Sequence, residues 1–133
     1  MTQTTARKIV DQMFAAFNAK DLPGALATVS QDTLWIHHGS QKMPSVRFEG
    51  KSGAEKFFGT SFSAMKIDYF RPLTFIEQGD TVVVLGEESY VMDGIDGKLS
   101  NKWVQVYTVT NGLISKMEEF ATSADPSSYM VVA

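Results

Sequence analysis

The sequence predicts a single α+β domain, 1–133, in which three helices come first and a mainly antiparallel sheet follows. Before Met65 the apolar residues recur at helical spacing, with one short strand among them. From Met65 onwards the period is two, and turn signals separate the strands. A chain of 133 residues has room for one ordinary domain and is too short for two.

The helices are predicted from apolar spacing and from capping residues. The segment 4–21 has one wide apolar face, made of Ile9, Val10, Met13, Phe14, Ala16 and Phe17. Asp21 can cap a short second helix with Pro23 in its first turn. The apolar stripe of that helix is Leu22, Ala25, Leu26 and Val29. A third helix, with Phe57, Phe58 and Phe62, is predicted to open on the capping box Ser52 to Glu55.

The strands are predicted from alternation and from turn residues. A short strand, Thr33 to His37, precedes a polar loop over 38–50. Four longer strands follow, over Met65 to Glu77, Thr81 to Met92, Leu99 to Val109 and Leu113 to Ala121. Pro72 indicates an edge strand or a bulge, and Asn111-Gly112 indicates a hairpin. The tail 122–133 is loop-like, and we expect its apolar last residues to dock on the sheet or on a partner chain.

Composition excludes several classes of function. Since the chain has no cysteine, disulfides, zinc–thiolate sites, iron–sulfur clusters and cysteine nucleophiles are excluded. The net charge of −3, with no basic stripe, argues against nucleic acid as a partner. No apolar run is long enough to span a membrane, and MTQTTARKIV lacks the apolar core of a secretory signal. We therefore expect a soluble, cytoplasmic protein that binds neither nucleic acid nor membrane.

Alternation divides the side chains of the long strands between two faces. We place the large aromatic residues on one face, together with Glu87, Gln105 and Glu119. The other face is predicted to carry short branched residues that form a subunit interface, namely Val82, Val84, Val104 and Val106. Aromatic residues mixed with a few polar groups are typical of a ligand cavity. The pattern alone does not decide which face lies inside, and we favour the aromatic one.

Three segments carry a family resemblance: MFAAFNAKDLPGALATVSQDTLWIHHG, FEGKSGAEKFF and WVQVYTVTNGLISKMEEF. They resemble the nuclear transport factor 2-like superfamily, and within it the SnoaL-like and ketosteroid-isomerase-like proteins. The resemblance covers nearly the whole chain. It implies a cystatin-like cone, in which three N-terminal helices pack on a strongly curved, mainly antiparallel sheet around a cavity. It also implies a homodimer through the open sheet face and acid–base chemistry without a cofactor or a metal.

The resemblance also implies positions for site residues. Ketosteroid isomerase combines an aspartate base with a tyrosine and a protonated aspartic acid as hydrogen-bond donors. By segment matching, the base falls on His37, the tyrosine on Met13 and the protonated acid on Gln105. A histidine therefore replaces the carboxylate base and neither acidic donor is retained, which argues against steroid isomerisation by that mechanism. The same match places Trp103, Glu87 and Glu119 at the cavity.

His37 and His38 are the only two histidines, and they are neighbours. Because adjacent strand residues point to opposite sides, the two rings cannot share one metal ion, and no metal site is predicted. Our hypothesis is that His37 faces the cavity as a general base, with Glu87 or Glu119 holding its other nitrogen. Gln105 would donate to a substrate carbonyl. The predicted ligand contacts are Met13, Phe14, Phe17, Phe58, Trp103, Tyr107 and Met117. Other roles stay open: His37 and Trp103 are also compatible with core positions, and Glu87 and Glu119 with wet positions at the cavity mouth or with ion pairs to Arg47 or Arg71.

Three functions are compatible with these residues. The first is a cofactor-independent acid–base enzyme, of isomerase, cyclase, dehydratase or hydrolase type, that acts on a small hydrophobic carbonyl or ring compound. The second is a non-catalytic protein that binds a small apolar or acidic molecule. The third is a protein-interaction module, against which the dense aromatic residues and the inward polar cluster argue. The sequence does not separate the first two.

Overall fold

A computed structural model describes residues 4–124, 127 and 129–133. Its helices are α1 (Thr5–Asn18), α2 (Leu22–Leu26) and α3 (Gly50–Ser63). Its strands are β1 (Val29–His37), β2 (Val46–Glu49), β3 (Met65–Gln78), β4 (Thr81–Met92), β5 (Leu99–Thr110) and β6 (Leu113–Ser123). They form one sheet in the order β2-β1-β6-β5-β4-β3, in which only β1 and β6 are parallel. The predicted α+β order of helices and mainly antiparallel strands is confirmed.

The helices cover the inner face of the curved sheet, and the core lies between the two layers. The Thr4 side chain caps α1 by accepting a hydrogen bond from the Arg7 backbone N–H. Asp21 caps α2 in the same way, with Pro23 in its first turn, as predicted. The apolar faces of α1 and α3 meet fully buried strand residues, among them Val82, Val84, Ile114 and Met117.

Pro72 lies on β3, which is an outer strand of the sheet. The pairing of β3 with β4 is irregular between Pro72 and Thr74. Proline has no backbone N–H to give to a ladder, so it is tolerated at an edge or at a bulge. Both parts of the prediction made from Pro72 are therefore confirmed.

Three local predictions between α2 and α3 are wrong. Val29 does not extend α2, because the chain has already turned and Val29 begins β1. The predicted polar loop contains β2, which pairs with β1 over four residue pairs and has little buried surface to mark it. Helix α3 begins at Gly50 after Glu49, with no side-chain capping bond, so Ser52 lies in the first turn and no capping box forms.

The faces of β4 differ from the predicted ones. Residues directly opposite each other on paired strands share a face. Val82 lies opposite Tyr107 and Val84 opposite Gln105, so both valines point inward, and both are fully buried. The prediction that they belong to an outer interface with the valines of β5 is therefore wrong. That outer face instead carries Leu85, Glu87 and Val104.

The last residues of the chain are largely exposed. Met130, Val131 and Val132 are 85–89% exposed, so they do not dock on their own sheet as one alternative predicted. The rest of the predicted loop includes residues 125, 126 and 128, which lie outside the described residues. Among the described residues, no helix combines the length and the apolar character that crossing a membrane would require.

Candidate functional site

A cavity of about 150 Å³ lies between the inner face of the sheet and the helices. Its wall is largely aromatic, with Phe14, Phe17, Trp35, Phe57, Phe58 and Phe70. A group of polar side chains faces the same space, namely His37, Glu88, Tyr90, Asn101, Gln105 and Glu119. An apolar pocket with a few convergent polar groups is the usual form of a ligand or active site.

The two histidines at the end of β1 point to opposite sides. The His37 ring lies at the cavity, 4.7 Å from the Phe57 ring between centroids. The His38 ring is on the outer face, where Nε2 lies 2.8 Å from Glu118 Oε2 and the ring stacks on Phe120. Among the described residues, no three side chains of the His, Asp and Glu types are grouped closely enough to hold a metal ion.

His37 is held by packing more than by hydrogen bonds. Its Nε2 lies 3.9 Å from Glu119 Oε2, which is longer than a hydrogen bond, and its Nδ1 is buried without a partner among the described residues. Burial lowers the pKa of His37 below 6.5, although the nearby Glu119 charge opposes this and the His38 ring adds to it. The ring is therefore neutral at pH 7.

Glu119 is positioned by a chain of buried hydrogen bonds. The Tyr107 hydroxyl donates to Gln105 Oε1 at 2.5 Å, and Gln105 Nε2 donates to Glu119 Oε1 at 2.8 Å. Burial, with the Glu119 charge second, raises the pKa of Tyr107, so this hydroxyl remains a donor. The second Glu119 oxygen is left on the side of His37. One Gln105 amide hydrogen serves Glu119, while Gln105 also lines the cavity, so the contact of its second amide hydrogen with a substrate carbonyl stays a prediction.

The sequence interpretation missed several residues of the cavity wall, among them Tyr90, Asn101 and Glu88, and Glu88 is the one with a titratable carboxyl group. It points inward from β4, and its Oε2 accepts a hydrogen bond from Asn101 Nδ2 at 3.0 Å. Burial, and secondly the Glu119 charge, raises the pKa of Glu88 from 4.5 to about 8, against the opposing effect of the Asn101 hydrogen bond. At pH 7 most molecules therefore carry a protonated Glu88. The available signal was its phase, because Glu88 shares parity with the buried Val82 and Val84.

The structure brings together most, but not all, of the residues predicted to line the cavity. The lining includes eight of them: His37, Glu119, Gln105, Met13, Phe14, Phe17, Phe58 and Tyr107. Glu87 does not belong, because it points to the outer face, where Arg71 Nε lies 3.4 Å from its Oε1. Met117 is fully buried in the core and also does not line the cavity.

Of the two roles left open for Trp103, ligand contact and core residue, the structure agrees with the core. Trp103 lies opposite Gly86, where an added Cβ would come within 2.3 Å of the indole. The ring therefore lies over the strand backbone and stacks on Phe70 at 5.0 Å between centroids. It is 2% exposed and is absent from the cavity wall.

The loop between β1 and β2 borders the cavity mouth through Gly39, Ser40, Met43 and Pro44. Gln41 ties this loop to the end of β6. Its Nε2 donates to Thr122 Oγ1 at 3.0 Å, and its Oε1 accepts from the Ser123 backbone N–H at 2.8 Å. The mouth is thus fixed to the strand that carries Glu119.

Comparisons with known proteins identify the family and the fold. The model of the SnoaL-like domain matches residues 10–117, and the chain therefore belongs to that family. Comparison with curated protein sequences gave no match. Many solved structures share the fold.

Three of these solved structures are informative. One is an NTF2-like protein from Burkholderia xenovorans, 24% identical, with 91% of this chain and 92% of that chain covered and a TM-score of 0.79. The second is TerC co-crystallised with polyporic acid, 22% identical, with 88% and 91% covered and a TM-score of 0.69. The third is a protein from Catenulispora acidiphila with a ketosteroid isomerase-like fold, in complex with trimethylamine. It is 11% identical, with 92% and 97% covered and a TM-score of 0.71. At these identities the likeness concerns the fold.

Proposed function

We propose that this protein is an acid–base enzyme that moves a proton at a carbon atom next to a carbonyl in a small hydrophobic ring compound. One observation carries the proposal: a single apolar cavity holds a histidine kept neutral and a carboxyl group kept protonated. Titratable groups whose surroundings push their pKa values apart are the usual sign of a paired base and acid.

His37 is the base in this proposal. Its Nε2 is the nitrogen on the side of the cavity carboxylate, while Nδ1 is buried. When the ring takes a proton from carbon, the Glu119 carboxylate 3.9 Å away stabilises the imidazolium that forms. At an effective dielectric constant of 20, a charge pair at that distance is worth about 4 kcal/mol.

Glu88 is the acid. Asn101 donates to its Oε2. The proton of the acid then belongs on the other oxygen, which in this proposal donates it to a substrate oxygen. As the proton leaves carbon, negative charge builds on the carbonyl oxygen, and a carboxylic acid stabilises it more strongly than an amide. The imidazolium then returns the proton to the same or another carbon, and both residues recover their starting states. A neutral carboxylic acid has this role in ketosteroid isomerase, and here it stands on a different strand.

Non-catalytic binding is the second candidate. The distance of 3.9 Å between His37 and Glu119 favours it, because a base in use is commonly held by a hydrogen bond of about 2.6–3.2 Å. Two neighbours of the same fold were solved with small molecules, polyporic acid and trimethylamine, which supports a small-molecule ligand under either candidate.

Exchange of carbon-bound protons for deuterium tests the proposal. Cyclic ketones of one to four rings are incubated with the protein in heavy water at pH 7, and loss of the signals of protons next to the carbonyl is followed by NMR. We expect His37→Gln to slow the enzyme-dependent exchange by about 10²–10⁴-fold, the usual contribution of a general base. The matched control, His38→Gln, should stay within twofold of the natural protein. Binding of ketones without any exchange would favour the binding protein.

A further inference from the structure

The size and the charge of the cavity restrict the compounds that the proposed reaction can use. We propose that the substrate is an uncharged compound of single-ring size that carries a ketone or enol oxygen, and that carboxylates, phosphates and multi-ring compounds are rejected. This inference rests on the proposed function for the site and adds a substrate class to it.

The first restriction is volume. An apolar protein cavity of 150 Å³ binds benzene, which sets the scale for the cavity of about 150 Å³ described here. The aromatic rings of the wall cannot easily move apart to enlarge the cavity, because they pack on one another. Phe57 lies 5.2 Å from Phe58 and 5.5 Å from Phe48, and Phe17 lies 5.1 Å from Phe70. Room for a second fused ring would require these contacts to open, and close-packed cores resist such changes.

The second restriction is the sign of the charge. Among the described residues that line the cavity there is no lysine and no arginine, while Glu88 and Glu119 both face it. The nearby cations are engaged elsewhere, Arg7 with Asp11 and Arg71 with the outward Glu87. An anionic ligand would lose its water and lie beside the Glu119 carboxylate without a counter-ion.

A cation is also disfavoured. One Glu119 oxygen already accepts the Gln105 hydrogen bond, so a bound ammonium group would gain a single carboxylate oxygen. In exchange, it would give up its water, and the desolvation penalty of a buried charge commonly exceeds the gain from one carboxylate oxygen, even with the attraction of aromatic ring faces for a cation. An uncharged ketone or enol avoids both costs and gives Glu88 an oxygen to hydrogen-bond.

A panel of ring compounds tests the inference without requiring turnover. Phenol, benzoate, benzylammonium and 2-naphthol are titrated into the ¹⁵N-labelled protein at pH 7, and amide shifts around the cavity give the dissociation constants. Phenol stands in for an enol and is uncharged at this pH. We expect benzoate and benzylammonium to bind at least tenfold more weakly than phenol, and 2-naphthol to bind no tighter than phenol despite its larger apolar area.

Two variants on β6 test the electrostatic cause. Glu119→Gln should reduce the ratio of the benzoate to the phenol dissociation constant by at least threefold, since it removes the carboxylate and leaves the cost of dehydrating the anion. Glu118→Gln, a change of the same charge on the outer face, should leave that ratio unchanged. If Glu119→Gln does not fold, the panel on the natural protein still tests the proposed substrate class. The inference is overturned if benzoate equals phenol, if benzylammonium binds tighter than phenol, if 2-naphthol binds tenfold tighter, or if a folded Glu119→Gln leaves the ratio unchanged.

The outcome of the binding panel can be distinguished from the outcome of the deuterium-exchange experiment, which tests the proposed function. If the panel behaves as expected and no ketone exchanges its protons, the proposed reaction fails and the ligand class stands. If only ketones of two or more rings exchange, the reaction stands and the substrate class fails.

Discussion

Replacing Glu88 by Gln should remove a large part of the pH dependence of stability. The pKa of Glu88 is raised from 4.5 to about 8, first by burial and then by the Glu119 charge. Each tenfold change in proton affinity corresponds to about 1.36 kcal/mol, so ionising Glu88 in the folded protein costs on the order of 5 kcal/mol more than in the unfolded chain. Gln is uncharged and similar in shape, and its carbonyl oxygen can keep the Asn101 hydrogen bond.

The direction of the effect follows from the sign of the shift. Since the folded pKa lies above the unfolded one, the stabilisation from the bound proton is complete below pH 4.5. It is lost as the pH rises from 4.5 through about 8. Across that window the free energy of unfolding of the natural protein should therefore fall by about 3–5 kcal/mol relative to Glu88→Gln.

Urea unfolding at a series of pH values measures this difference. Trp35 and Trp103 are both 2% exposed, so their fluorescence reports loss of the core. Glu87→Gln, one residue along β4 and on the outer face, is the matched control and should follow the natural protein at every pH. Parallel curves for all three proteins would refute the assignment of Glu88 as a buried, protonated carboxyl group.

Three further predictions concern the same layer of side chains. In an NMR titration the midpoint of the His37 ring should lie below pH 6.5. Glu119→Gln should lower this midpoint further, because the Glu119 carboxylate raises the pKa of the ring. A midpoint above 6.5 in the natural protein would contradict the assignment of His37 as a buried, neutral ring. Tyr107→Phe should destabilise the protein by about 1–3 kcal/mol in urea unfolding, since a buried amide oxygen loses its donor; an unchanged midpoint would show that this hydrogen bond is dispensable. Gly86→Ala should lower the free energy of unfolding by about 1–3 kcal/mol through overpacking, because the added Cβ would lie 2.3 Å from the Trp103 indole. Gly59→Ala, whose Cβ meets nothing within 4 Å on α3, should be neutral or stabilising, and equal losses for the two glycines would argue against the packing explanation.

Periodicity and turn residues were sufficient to predict the order of the helices and of every strand except β2. The apolar face of α1, the Asp21 cap, the Pro72 irregularity and the Asn111-Gly112 turn each follow from local chemistry, and each is found in the structure. Strand β2 could not be predicted in this way. Its four residues are mostly exposed and gain their order from pairing with β1, which is a long-range contact without a local signal.

The directions of His37 and His38 were predictable, because adjacent residues of one strand point to opposite faces. It was not predictable on β4, because both faces of that strand carry apolar residues and one glutamate each. The choice between Glu87 and Glu88 depends on the register with β5, in which Gly86 lies opposite Trp103. The packing of the Trp103 indole against Gly86 is a tertiary contact, which alternation within one strand does not reveal. Once the register is known, burial explains both the protonated state of Glu88 and the neutral state of His37.

Neutron diffraction on crystals grown at pH 7 in heavy water tests the central claim most directly, because it locates both protons in one map. We predict a deuteron on the Glu88 carboxyl group and a deuteron on only one nitrogen of His37. A bare Glu88 carboxylate facing a doubly protonated His37 ring would contradict it.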